Sequence, residues 1–316
     1  MSRRALILFV LMSLIWGIPY LFIRVAVAEI APSVLVFART ATGAAILLPL
    51  ALLRGDVRPV LSRWRWLVAF AAAEIAIPWV LLASAEERVT SSLAALLIAG
   101  VPLVGAILGV ATASRERVGR RGAIGLLVGL VGVSAIVGVD VDAANVGAIL
   151  EIGLVVVGYA VGPAILARRL AGAPSLGVMS LSLGMSALVY APIALVQRPA
   201  SMPSTDVFEA VAILGVVCTA VAFVLFGALV ADIGPVRGTV ITYVNPAVAA
   251  VLGAVVLREP FTIGMAVGFG LVIVGSVLAT STTSPAASTA PVIAVDGAAV
   301  VATTAGTGTA VEESRA

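Results

Sequence analysis

Ten apolar runs, each near 20 residues long and parted by short charged or Gly/Pro-containing breaks, govern what this chain can become. They fall near residues 5–27, 32–53, 66–85, 91–112, 121–139, 146–167, 176–196, 208–230, 238–257 and 261–279. A helix needs about 20 residues to cross a hydrocarbon core of about 30 Å, and inside that core every backbone polar group must find a partner within the protein. The expected fold class is an all-α membrane protein of ten transmembrane helices. Composition agrees: 61% of residues are hydrophobic and 11% charged, against about 25% charged in a soluble domain.

The net charge of +3 suggests a nucleic-acid partner only until the arginines are assigned to sides of a membrane. With the N-terminus inside, Arg3, Arg4, Arg54, Arg58, Arg63, Arg65, Arg115, Arg117, Arg120, Arg121, Arg168, Arg169, Arg237 and Arg315 are cytoplasmic, and Arg88, Arg198 and Arg258 are external. That asymmetry follows the positive-inside rule. It places both termini in the cytoplasm of a bacterial-type plasma membrane, and no nucleic-acid partner is expected. Arg24 and Arg39 remain, both within spans.

Cys218 is the single cysteine and reads as a small buried hydrophobe. The chain has no histidine, so proton chemistry must use carboxylates. The opening Arg3-Arg4, apolar run and Ala26-Val27-Ala28 imitate a signal peptide. The run is long for one and Arg24 sits just before the site, so the segment is expected to be retained.

The chain repeats itself. "ASRERVGRRGAIGLLVGLVGVSAIV" (113 to 137) lies 143 positions before "VLREPFTIGMAVGFGLVIVGSVLAT" (256 to 280), which aligns Arg115-Glu116 with Arg258-Glu259, Gly125 with Gly268 and Gly132 with Gly275. Pro102 matches Pro246 with a one-residue slip, and Gly17 with Gly158 and Gly43 with Gly184 are each 141 apart. The unit is about 140 residues and five spans. An odd number of spans forces the second copy to insert upside down, the inverted topology of secondary transporters. The expected division is residues 1–142 and 143–280 as two inverted five-helix repeats, with 281–316, rich in Ser, Thr, Ala and Gly, as a disordered cytoplasmic tail.

"PAVAAVLGAVVLREPFTIGMAVGFGLVIVGSVL" resembles the end of an EamA domain, the repeat of the drug/metabolite transporter superfamily, and "IWGIPYLFIR" (15 to 24) and "PSVLVFARTATGAAILL" (32 to 48) resemble its first two spans. The likeness covers about residues 5 to 279. Arg258 and Arg115 stand where that family commonly has glycine, which puts a glycine-dependent turn there in question. The resemblance implies a secondary transporter of small molecules, with export as the favoured direction.

Pro246 frees the carbonyl of Thr242, and Pro102 that of Ile98. Both sit near mid-span, where inverted-repeat carriers place their substrate sites. Gly125-x-x-x-Gly129 and Gly264-x-x-x-Gly268 read as helix-packing faces.

Charges within a bilayer are costly, so Arg24, Arg39, Glu74 and Glu151 are the candidate pathway residues. In one reading Arg39 or Arg24 holds a carboxylate or phosphate, while Glu74 or Glu151 exchanges a proton or pairs an amine. In the other they form Arg/Glu pairs that tie helices together, with Arg24 snorkelling. Trp16, Tyr20, Trp79, Tyr159, Tyr243 and Asn245 supply aromatic walls and polar tips for a small-molecule pocket. Trp64 and Trp66 read as an interfacial belt, and Asp140 and Asp142 as a solvated loop. No metal or cofactor motif is present, and the sequence sets no oligomeric state. The first expectation is an alternating-access transporter in contact with membrane lipid, with proton coupling as a further step. The rivals are a membrane enzyme acting on a lipid-linked substrate, for which no H-E-x-x-H or G-x-S-x-G occurs, and a non-transporting receptor or scaffold.

Overall fold

The computed structural model describes residues 2–112, 120–137, 145–233 and 241–280. The described residues are helical, with no strand among them. Seven helices are long and apolar enough to cross a membrane: Arg3–Val27, Pro32–Leu53, Trp64–Glu86, Ser91–Leu108, Val146–Arg169, Ser175–Val196 and Thr205–Val230. The other three expected spans fall on the helices Arg120–Val137, Ile241–Val256 and Ile263–Thr280. Their outer faces are greasy, with Leu53, Val196 and Ile263 each more than 80% exposed, as lipid contact requires. Arg115, Glu116, Arg117, Arg237, Asp140, Asp142 and the tail 281–316 lie outside the described residues.

Proline acts differently from place to place. Pro19 opens a second helical segment, Pro19–Val27, after a break at Ile18. Pro102 lies just past a break at Ala99 and Gly100 that parts Ser91–Ile98 from Val101–Thr112. Pro246, its partner in the repeat, stays inside the uninterrupted helix Ile241–Val256. Next to it the Asn245 amide donates to the carbonyls of Ile241 (2.8 Å) and Ser13 (3.1 Å), stitching that helix to Arg3–Gly17.

Among the helices that pack between the sequence repeats, two pairs join equivalent spans, and both run antiparallel. Ser33 donates to Gln197 Oε1 at 2.5 Å, Gly43 faces Leu183, and Gly177 faces the Asp56 carbonyl, so Pro32–Leu53 and Ser175–Val196 pass in opposite directions. At the other pair, a Cβ on Gly132 would lie 2.7 Å from the Gly268 carbonyl oxygen, and one on Gly275 would lie 2.7 Å from the Gly125 carbonyl oxygen. Small residues let backbones approach this closely. The contact is reciprocal, because Gly125 aligns with Gly268 and Gly132 with Gly275.

The helix Ile241–Val256 ends in a turn at Arg258, whose φ is +55°. The left-handed conformation expected of glycine is therefore kept, with arginine in it. It lets the Glu259 N–H return to the Gly253 carbonyl at 3.0 Å. It also aims the Glu259 carboxylate at the start of Ser91–Ile98, where it accepts from the N–H of Ser91 (2.8 Å), the N–H of Ser92 (3.0 Å), Ser91 Oγ (3.0 Å) and Ser92 Oγ (2.6 Å). Unpaired N–H groups and the positive end of a helix favour such a carboxylate.

Candidate substrate pathway

Two spans leave α geometry at equivalent places. π turns begin at Ala72 in Trp64–Glu86 and at Ile213 in Thr205–Val230, 141 positions apart, the spacing of Gly17/Gly158 and Gly43/Gly184. π turns concentrate at functional sites. The local causes differ. Pro78, just past the first turn, has no N–H to give the ladder, whereas Thr219, at the matching position of the second, turns its hydroxyl to the Leu214 carbonyl at 2.8 Å.

Thr219 also receives Arg39. The arginine, 8% exposed, donates from Nε to Thr219 Oγ1 at 3.0 Å. Its guanidinium carbon lies 3.6 Å from the centre of the Trp79 ring, close enough for a cation–π contact. Tyr20, Tyr159, Glu86 and Cys218 lie within electrostatic range of it. Among the described residues none of the carboxylates forms an ion pair with it, so neither Glu74 nor Glu151 pairs with Arg39. A planar guanidinium fixed by stacking presents its remaining N–H groups as a fork suited to carboxylate or phosphate.

Glu74 lies in the first π turn, and its Oε2 is buried without a hydrogen-bond partner among the described residues. Gly158 and Gly162 on Val146–Arg169 make room for it. A Cβ on Gly158 would lie 2.5 Å from the Ala73 carbonyl oxygen, and one on Gly162 would fall on Glu74 Oε2 and lie 3.1 Å from Glu74 Cβ. Tyr159, between those glycines, is within electrostatic range of Glu74 and in side-chain hydrogen-bonding range of Trp79. Where the first repeat has Glu74, the second has Gly215, packed against Thr42.

The other candidates spread outward from this centre. Tyr20 is buried on Pro19–Val27, near Tyr159 and Arg39. Trp16 packs on Phe223 and Phe226, with ring centres 6.3 and 4.8 Å away. Asn245 is occupied in the helix stitch described above. Tyr243 belongs to Ile241–Val256, and its side chain lies outside the described residues. Glu151 accepts from Arg88 at 2.5 Å near one end of the bundle, away from Arg39. Arg24 donates to the main-chain carbonyl of Glu86 and borders an open cleft with Val27, Ala28 and Glu87.

Besides Thr219, sequence reasoning missed one buried carboxylate. Glu86 ends the Trp64–Glu86 helix at 0% exposure, and neither carboxylate oxygen has a hydrogen-bond partner among the described residues. Written as "AEERV", it passes for part of a charged external loop. The usable signal was the cluster Thr90, Ser91, Ser92, which marks the next helix start and pulls Glu86 back inside.

A solved crystal structure of a protein 21% identical to this chain superimposes with a TM-score of 0.63, covering 89% of this chain and 98% of its own. At that identity the likeness concerns fold alone. No curated protein matches the chain at a significant level. The family described as the EamA-like transporter family matches twice, over residues 3–138 and again over 147–281. With most of the chain accounted for by two consecutive copies, and with helices long and apolar enough to cross a membrane in both, the chain belongs to the EamA-like transporter family.

Proposed function

We propose that this protein is a secondary transporter that moves a small molecule bearing a carboxylate or phosphate, by rocking two inverted five-span halves around Arg39. The observation that carries the reading is the Arg39 guanidinium, buried between Trp79 and Thr219 with no carboxylate paired to it among the described residues. An isolated charge in an apolar medium is costly, and an anionic substrate would offset it. The antiparallel crossing of equivalent helices, with Gly132 against Gly268 and Gly275 against Gly125, supports the inverted arrangement and a ten-span count. Both termini are cytoplasmic on the arginine asymmetry, and export is the direction the family resemblance implies. One end of the bundle is tied shut by Glu259 on Ser91 and Ser92, by Glu29 on Ser204 and by Arg88 on Glu151, as an alternating-access carrier requires of one of its states.

The test is a thermal-shift screen of purified protein against carboxylates, organic phosphates and matched neutral analogues, followed by uptake of the hits into liposomes. Anionic compounds should stabilise the wild type, and Arg39→Gln should lose both binding and flux. Arg39→Lys should fall with it, because lysine cannot supply the planar fork. Undiminished flux in Arg39→Gln would remove Arg39 from the pathway.

A further inference from the structure

The Glu259 clasp has an unusual neighbour. Its carboxylate holds four donors at the start of Ser91–Ile98, the setting of a charged group. Within electrostatic range stands Glu86, wholly buried, with both oxygens unpartnered among the described residues. Arg24 and Tyr20 face it from Pro19–Val27, Arg39 from Pro32–Leu53 and Tyr159 from Val146–Arg169. Arg24 does not neutralise it, since its guanidinium is turned to the Glu86 main-chain carbonyl. None of these cations forms an ion pair with the Glu86 carboxylate among the described residues.

Two neighbouring carboxylates in one dry site do not both stay ionised, and an unpaired buried carboxylate is far costlier than a neutral acid. All four groups around Glu259 donate to it, whereas Glu86 has no donor among the described residues, so the proton falls to Glu86. We propose that Glu86 is a proton-carrying group of this transporter, and that its proton holds the Glu259 clasp closed. The proposal rests on the transport reading above for its purpose, though not for its chemistry. Loss of the proton to water places a second negative charge beside Glu259. Repulsion then lifts Glu259 off Ser91 and Ser92, and the helices Ile241–Val256 and Ser91–Ile98 part at that end. A proton arriving from that side closes it again. Gly253, whose Cβ would collide with Ser92 Oγ and Glu259 Oε2, marks how tightly the closed clasp is seated.

The test reads the clasp directly. Ala249 is 1% exposed and lies one helical turn before Gly253, on the same face, so it is uncovered only when the helices separate. In the full chain with Cys218→Ala and Ala249→Cys, the maleimide labelling rate is followed from mildly acidic to alkaline buffer and divided at each pH by the rate of the same cysteine in the detergent-unfolded chain, which removes the ionisation of the thiol itself. It should climb several-fold, with a slope of at most about tenfold per pH unit, the limit for one proton. Glu86→Gln, a permanent stand-in for the neutral acid, should label slowly at every pH, and Glu259→Gln quickly at every pH. A flat profile without either glutamate substitution overturns the proposal and needs no variant of Glu86 to fold. So does a Glu86→Gln profile that keeps the original slope. In liposomes, flux that still responds to a pH gradient in Glu86→Gln overturns this proposal and leaves the transport reading standing. The expected labelling pattern in a protein that moves no anion overturns the transport reading alone.

Discussion

Arg258 offers a measurement of what a glycine-shaped turn costs when another residue occupies it. Its φ of +55° is left-handed, which costs a non-glycine residue about 1–2 kcal/mol. Its side chain is exposed and makes no hydrogen bond or ion pair among the described residues, so no contact offsets the strain. Arg258→Gly removes the strain but loses about 0.5–1 kcal/mol through the greater freedom of glycine in the unfolded chain. The net expectation is a gain of about 0.5–1 kcal/mol. Arg258→Asn should fall between arginine and glycine, because asparagine tolerates this region, and Arg258→Val should be worse than arginine, because β-branched residues there are outliers. The assay is equilibrium unfolding in mixed micelles with increasing denaturing detergent, followed by tryptophan fluorescence. If glycine matches or falls below arginine, or valine equals asparagine, the backbone explanation is wrong and the arginine side chain has a role of its own.

Gly132→Ala would place a methyl group 2.7 Å from the Gly268 carbonyl oxygen and the Val272 nitrogen; backbone cannot yield as a side chain does, and unfolding in the same micelles should show a loss of about 1–3 kcal/mol. Glu29, outside the spans, accepts from the Ser204 hydroxyl at 2.6 Å and from its N–H at 2.7 Å, and these bonds hold its carboxyl below the usual range. A depressed folded-state value means that the unfolded chain binds more protons, so the contribution is present above the ordinary carboxylate range and lost as pH falls through the depressed value. Glu29→Gln should flatten that acid limb of the stability profile while leaving the neutral-to-alkaline limb unchanged, as thermal unfolding across pH would register.

The membrane class, most span positions and the repeat alignment of Gly125 with Gly268 and of Gly132 with Gly275 were legible because apolar length and glycine spacing are local signals, whereas the contacts themselves, Gly132 on Gly268 and Gly275 on Gly125, were not. Arg39 was legible as a costly charge in a greasy run. Its partners were not, since Thr219 comes from a span 180 positions on and Trp79 from a separate span whose packing on Arg39 leaves no local trace. The π turns left no periodic trace: Pro78 hints at the first, but Thr219 at the second is an ordinary polar residue in an apolar run. Pro102 and Pro246 look alike in sequence, yet only Pro102 accompanies a break, because Gly100 lies beside it while Asn245 stitches the helix around Pro246. Glu86 was hidden by Glu87 and Arg88, whose charge resembles that of a loop, and only three-dimensional packing shows that the first of the three is enclosed.

The glycine seam between Arg120–Val137 and Ile263–Thr280 is self-complementary: each helix offers the other the same small-residue face, read in the opposite direction. A half-length chain ending after Val137 would carry that face with nothing against it. The arginine asymmetry inserts every such fragment the same way round, so two copies cannot cover one another's seam, and co-expression of the second half should be needed to restore a stable protein.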